Sequence, residues 1–120
     1  MATILVVDDS VSLRNMVTFT LKNEGFDVVE AGDGQEALGK AKGAKFDLVL
    51  TDVNMPRMDG ITFCAALRKE AAFKFTPILI LTTENSPEMK EKGKTAGATG
   101  WLVKPFNPEK LLSTIKRVVR

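Results

Sequence analysis

Asp8, Asp9, Asp52, Thr82, Thr83 and Lys104 are the residues whose types suit chemistry, and each lies at the end of a short apolar run. Residues 4–7 (ILVV) lead into the two aspartates and residues 48–50 (LVL) into Thr51 and Asp52. Residues 78–81 (ILIL) lead into the two threonines, and residues 101–103 (WLV) into Lys104 and Pro105. If the runs are parallel strands of one sheet, these ends meet at one edge. Three carboxylates crowded there repel one another and stay ionised only against compensating positive charge. Lys104 supplies one charge, and a hard divalent cation would supply the rest. Mg²⁺ takes few carboxylates, waters and phosphate oxygens, which describes such a pocket. Phosphoryl transfer asks mainly for positioning and charge neutralisation. An aspartate nucleophile, a metal, a lysine and a hydroxyl provide both. Singly, each residue has a plainer reading: acids at a helix start, a loop cap, strand-end threonines, a solvated lysine. Their recurrence at the ends of four different apolar runs outweighs those readings.

The elements that must position these residues follow from periodicity. The first strand covers Thr3–Val7; Leu13, Met16, Val17 and Leu21 then keep helical spacing, and Gly25 is placed to end that helix. Val28 and Val29 mark a second strand. Asp33 with Glu36 has the form of a capping box, opening a helix with Ala37, Leu38 and Ala41 inward. Residues 48–50 form a third strand, and a helix carrying Ile61, Phe63, Cys64 and Leu67 follows the loop at Pro56. Pro77 opens a fourth strand, residues 78–81. Ser86 and Pro87 cap a fourth helix, weakly anchored because it holds Gly93 and few large apolar residues. A fifth strand at residues 101–103 precedes a last helix opened by Asn107 and Pro108, with Leu111, Leu112, Ile115, Val118 and Val119 inward. Solid rather than alternating apolar strands imply a parallel sheet buried on both faces. The predicted class is α/β, doubly wound, with five strands and five helices in three layers. Ligands of such sheets sit beyond the carboxyl ends of the strands.

Composition narrows the chemistry further. The 120 residues fit one domain, predicted over 1–120, and 44% hydrophobic with 27% charged residues is the balance of a globular chain. Histidine is absent, which excludes a His-centred triad, a His-ligated zinc and a phosphohistidine carried here. One cysteine, Cys64, permits no internal disulfide and reads as a small core residue. A net charge of +2, with a mild cluster at Lys116, Arg117 and Arg120, gives no case for nucleic acid. Lys90, Lys92 and Lys94 read as a solvated face. No apolar run approaches the roughly 20 residues of a membrane span, and no secretory leader is evident at the amino terminus. The expectation is a cytoplasmic chain without a membrane partner.

The runs VVDDS (6–10), LTDVNMPRMDG (50–60), LTTEN (81–85) and WLVKPFNP (101–108) resemble the receiver domains of bacterial response regulators, in order and over essentially the whole chain. The resemblance implies a flavodoxin-like, CheY-like sheet of order 2-1-3-4-5. It implies that Asp52 is the phosphoacceptor, served by the phosphohistidine of a partner kinase. Asp9, Asp52 and the backbone carbonyl of Asn54 would hold Mg²⁺, with Asp8 supporting through a coordinated water. Lys104 and Thr82 would each take a phosphoryl oxygen, Thr82 being the switch hydroxyl because it directly ends the fourth strand. Trp101 stands where the family has a switching Tyr or Phe; a strand aromatic with no switching role is the competing reading. Asn54 and Glu84 occupy the positions that tune dephosphorylation. With Arg14 and the DDS opening, they match the chemotaxis branch.

The resemblance also implies partners: a CheA-like histidine kinase, a target such as a flagellar motor switch protein, and a phosphatase. The output surface would be the fourth helix, fifth strand and fifth helix. Because the sequence stops at Arg120, the expectation is a monomeric receiver without an output domain, signalling by protein contact and catalysing only its own phosphorylation and dephosphorylation. A phosphorelay intermediate is the alternative within the family. From another class, an aspartyl-phosphate hydrolase would need an acid–base aspartate two residues after the nucleophile, where Asn54 stands. A flavodoxin-like FMN module would need a phosphate-cradling loop where Asp8 and Asp9 stand.

Overall fold

The computed structural model describes residues 2–105 and 107–119. Arg120, the last of the basic cluster anticipated at the carboxyl end, lies outside them. Five strands, β1 (Thr3–Val7), β2 (Asp27–Ala31), β3 (Leu48–Thr51), β4 (Ile78–Thr82) and β5 (Gly100–Val103), form one sheet. All pairings are parallel, in the order β2-β1-β3-β4-β5. The helices are α1 (Val11–Asn23), α2 (Gly34–Ala41), α3 (Gly60–Arg68), α4 (Pro87–Ala96) and α5 (Pro108–Val118). A 3₁₀ turn at Ala71–Phe73, not anticipated from periodicity, precedes β4.

Alternate strand residues feed two separate cores, because successive side chains of a strand point to opposite faces. Leu5, Val7, Val49 and Ile78 pack with Phe63, Cys64 and Leu67 of α3 and Ala37 and Ala41 of α2. Ile4, Val6, Leu48, Leu50, Leu79 and Leu81 pack on the other face with Val17 and Leu21 of α1 and Leu111 and Ile115 of α5. The central strands β3 and β4 are buried at every residue. Met16, expected inward, is 53% exposed. Val17 and Leu21 are the α1 residues buried in that core instead.

Each helix begins where the sequence supplies a side-chain acceptor. Ser10, Asp33, Asp59, Ser86 and Asn107 each take a backbone N–H three residues on. The capping box at Asp33 is displaced by one residue, since the Glu36 carboxylate accepts from Gly32 N–H at 2.8 Å. Helix α4 ends at Gly97, whose φ of 108° is open to glycine at little cost. Arg68, at the end of α3, donates to Gly97 O at 2.8 Å and to Phe73 O and Thr76 O at 2.7 and 2.6 Å. One guanidinium thus ties α3, the 3₁₀ turn and the end of α4 together.

Asp33 does more than cap. Its carboxylate also pairs with the Arg57 guanidinium from the loop after β3. Gly34 N–H donates to Met58 O at 3.1 Å beside it. The Glu36 N–H and then Arg57 hold the Asp33 carboxyl below the ordinary carboxylate value. A carboxyl depressed on folding gives stability that is complete above its unfolded value and lost as pH falls through its folded value. Asp33→Asn is therefore expected to lower the urea midpoint at pH 7. The deficit should shrink as pH falls below about 4, where the unfolded-state carboxyl protonates; a deficit constant from pH 7 to pH 2 would contradict this.

Candidate functional site

The carboxyl ends of β1, β3, β4 and β5 converge as the parallel register requires. Val7 and Thr51 are partners across β1 and β3, and Asp52 N–H extends that ladder by donating to Val7 O at 2.9 Å. Lys104 N–H donates to Thr82 O at 2.8 Å, which brings the lysine across from β5. A carboxylate oxygen from each of Asp8, Asp9 and Asp52 lies within 4.8 Å of the others. Asp8 and Asp52 are buried, whereas Asp9 is exposed at the mouth.

Lys104 Nζ donates to Asp52 Oδ2 at 2.9 Å and to Asp8 Oδ2 at 3.3 Å. The second oxygen of each acid is also used. Asp52 Oδ1 accepts Val53 N–H at 2.6 Å, and Asp8 Oδ1 accepts Ser10 N–H at 2.8 Å. Burial pushes the Asp8 carboxyl up, and the Ser10 N–H and Lys104 only partly offset it. Burial works to lower Lys104, but the hydrogen bond and charge of Asp52, with those of Asp8, outweigh it and raise its value. The lysine is thus held charged between two acids. The donor set is hard oxygen, anionic and open on the Asp9 side, which suits a small divalent cation such as Mg²⁺.

The remaining expected residues lie in the loops around this pocket. Thr82 is fully buried, and its Oγ1 accepts Glu84 N–H at 3.3 Å; Thr83 is exposed. Asn54 Nδ2 donates to Glu84 Oε2 at 2.9 Å, so the two residues expected to tune dephosphorylation touch. Trp101 is half-buried and its Nε1 donates to Glu84 O at 3.0 Å. Its ring fills the space above Gly93, where a Cβ would stand 2.7 Å from Cζ3. Gly93 therefore admits the indole, a reason that helical propensity alone did not reveal. Glu84 joins the loop of Asn54 to the aromatic of β5.

Sequence reasoning missed the contacts of three arginines, one of which braces the pocket from behind. Arg14 was singled out only through resemblance. Its Nη1 donates to Asp8 O at 2.6 Å and its Nε to Glu30 Oε1 at 2.8 Å. Arg57 and Arg68 carried no signal either, since an arginine on a helix or loop looks solvated until its partners are known.

A doubly wound parallel sheet with three acids and a lysine at its carboxyl edge defines a flavodoxin-like α/β protein with a cation-seeking acidic pocket. Residues 4–116 match the family described as the response regulator receiver domain, and the chain belongs to that family. The chemotaxis protein CheY4 of Vibrio cholerae is 59% identical, covers 99% of both chains and superposes with a TM-score of 0.95. Protein PilG of Pseudomonas aeruginosa is 38% identical over 94% of this chain and 84% of its own length. The transcriptional regulatory protein PhoP of alkaline phosphatase synthesis in Bacillus subtilis is 39% identical over 98% of this chain. The chain spans 48% of the length of that relative. The expected strand order and CheY-like architecture are borne out. No helix among the described residues is long and apolar enough to cross a membrane.

Proposed function

We propose that this chain is a phosphorylation switch of two-component signalling in which Asp52 accepts a phosphoryl group from the phosphohistidine of a CheA-like kinase. The observation that carries the reading is the cluster itself: Asp8, Asp9 and Asp52 together, with Lys104 bonded to two of them. Asp9, Asp52 and the Asn54 carbonyl would hold Mg²⁺, and Asp8 would act through a water. The ion would neutralise charge on the transferring group.

The protein's own groups account for the rest. An Asp52 carboxylate oxygen forms the new bond to phosphorus as the nitrogen–phosphorus bond of the donor breaks, and the imidazole leaves with the electron pair. Lys104, already charged, exchanges its bond to Asp52 for one to a phosphoryl oxygen. Thr82 Oγ1 turns from Glu84 N–H to another phosphoryl oxygen. That exchange frees the loop that Glu84 shares with Asn54 and Trp101. It shifts a pre-existing equilibrium of α4 and β5 towards the signalling state. Helix α4 suits this role, since Gly93 is its only buried residue. Trp101 follows the loop and is the switching aromatic.

The likeness to CheY4 supports a chemotaxis role. The target would be a protein such as a flagellar motor switch component, with a phosphatase resetting the signal. The chain would act as a cytoplasmic monomer, turning over only its own phosphoryl group. Asn54 supports this over a hydrolase, because its amide is engaged by Glu84 and has no proton to exchange as an acid would.

Incubation with Mg²⁺ and acetyl phosphate followed by intact-mass measurement tests the reading. The expected product is one base-labile phosphate that requires Mg²⁺ and is absent from Asp52→Asn. Catalytic release of phosphate from ordinary esters without an adduct would replace it with the hydrolase reading.

A further inference from the structure

Asp8 carries two separate duties. Its carboxylate faces Lys104, while its backbone carbonyl lies just past the last paired residue of β1. The Asp8 N–H still donates to Ala31 O at 3.1 Å. Among the described residues, no backbone N–H bonds to its carbonyl. Arg14 supplies the missing donor from one turn into α1, with Nη1 at 2.6 Å. The guanidinium is planar and rigid, so a bond at Nε sets the direction of Nη1. Glu30 of β2 makes that bond, and the Arg14 side chain is only 18% exposed.

We propose that Arg14 is a positioning residue for the metal site: aimed by Glu30, it pins the Asp8 peptide and so fixes the turn that presents the Asp8 and Asp9 carboxylates to the cation. The inference rests on the Mg²⁺ reading above. It makes the edge strand β2, which contributes no acid to the cluster, part of the machinery of the site. Asp8 and Asp9 are consecutive, so rotation of the peptide between them would redirect both carboxylates at once.

Charge and geometry predict opposite signs here. A guanidinium repels a nearby cation, so if charge were its whole effect, removing it would tighten Mg²⁺ binding. Positioning requires the reverse. The test is titration with Mn²⁺ followed by electron paramagnetic resonance of the free ion, with Mg²⁺ as competitor. Arg14→Ala is expected to weaken both ions about tenfold, the scale seen when an outer partner of a metal ligand is lost. Arg14→Lys should be nearly as weak, because an ammonium keeps the charge without the two-pronged geometry. Glu30→Gln retains an acceptor and should stay within about threefold of wild type, with Glu30→Ala closer to Arg14→Ala. In Arg14→Ala/Asp9→Asn the combined loss should fall short of the product of the single losses, which a general destabilisation would not produce. Binding by Arg14→Ala or Arg14→Lys as tight as wild type, or tighter, overturns the inference alone. A wild-type chain without a saturable site overturns the metal reading and this inference with it.

Discussion

Gly60→Ala is expected to destabilise the protein by at least about 3 kcal/mol, the upper end of overpacking penalties. The folded fraction should also take up phosphate more slowly by tenfold or more. Gly60 is the first residue of α3, and a Cβ there would stand 1.8 Å from the Asp52 carbonyl oxygen and 2.8 Å from its carbonyl carbon. Neither atom can yield by a rotamer change, because both are backbone. Asp52 N–H is bonded to Val7 O, and Gly60 N–H to Val53 O at 2.8 Å. The added methyl must therefore pull α3 off the sheet or push Asp52 out of the cluster. Gly39→Ala provides the control with the opposite sign. No atom lies within 4 Å of its added Cβ, and alanine is favoured over glycine in a helix by about 0.5–1 kcal/mol. Urea denaturation of both variants checks the pair. A Gly60→Ala midpoint equal to wild type, with uptake unchanged, would refute the close-approach argument.

The same contact shows why part of the site was readable from residues and part was not. Runs of three or four apolar residues leading into Asp, Thr or Lys are local patterns, and a parallel sheet brings their ends together whatever fills the space between. The strand Thr3–Val7 was legible to the residue because both its faces are buried and its neighbours follow at once. Strand β2 was seen only as Val28 and Val29. It is an edge strand whose outer residues stay partly exposed, and its full length appears only in its pairing with β1.

Charged residues behaved differently. Arg14, Arg57 and Arg68 each fold back onto carbonyls or a carboxylate of another element, and their long apolar stems make that route as easy as pointing outward. Nothing in the local sequence separates the two outcomes. Met16 failed in the opposite sense. Its spacing fits the α1 stripe, yet it is exposed, while Val17 and Leu21 pack with Leu111 and Ile115 of α5. The contact between Asn54 and Glu84 spans 30 residues, and only the fold makes it visible.

Lys104→Met should separate the two roles that positive charge plays at the acids. In EDTA the variant is expected to lose about 1–3 kcal/mol, less than the 3–5 kcal/mol for one half of a fully buried pair, because the pocket opens to water at Asp9. The cause is the set of three carboxylates left without the ammonium now bonded to Asp52 and Asp8. Added Mg²⁺ should then reverse the deficit, since a ligand bound only by the folded state stabilises it by mass action. Mg²⁺ should also bind the variant more tightly than wild type, because the cation no longer competes with a lysine for the same oxygens. Phosphate uptake should nevertheless fall, since the variant lacks the ammonium that would hold an incoming phosphoryl oxygen. Thermal denaturation in EDTA and in Mg²⁺, paired with the acetyl phosphate mass assay, measures all three effects. If Lys104→Met were as stable as wild type in EDTA and gained nothing extra from Mg²⁺, the lysine would not be neutralising the cluster. Tighter metal binding with impaired uptake would instead show that the site needs two differently placed positive charges, one exchangeable and one supplied by the chain.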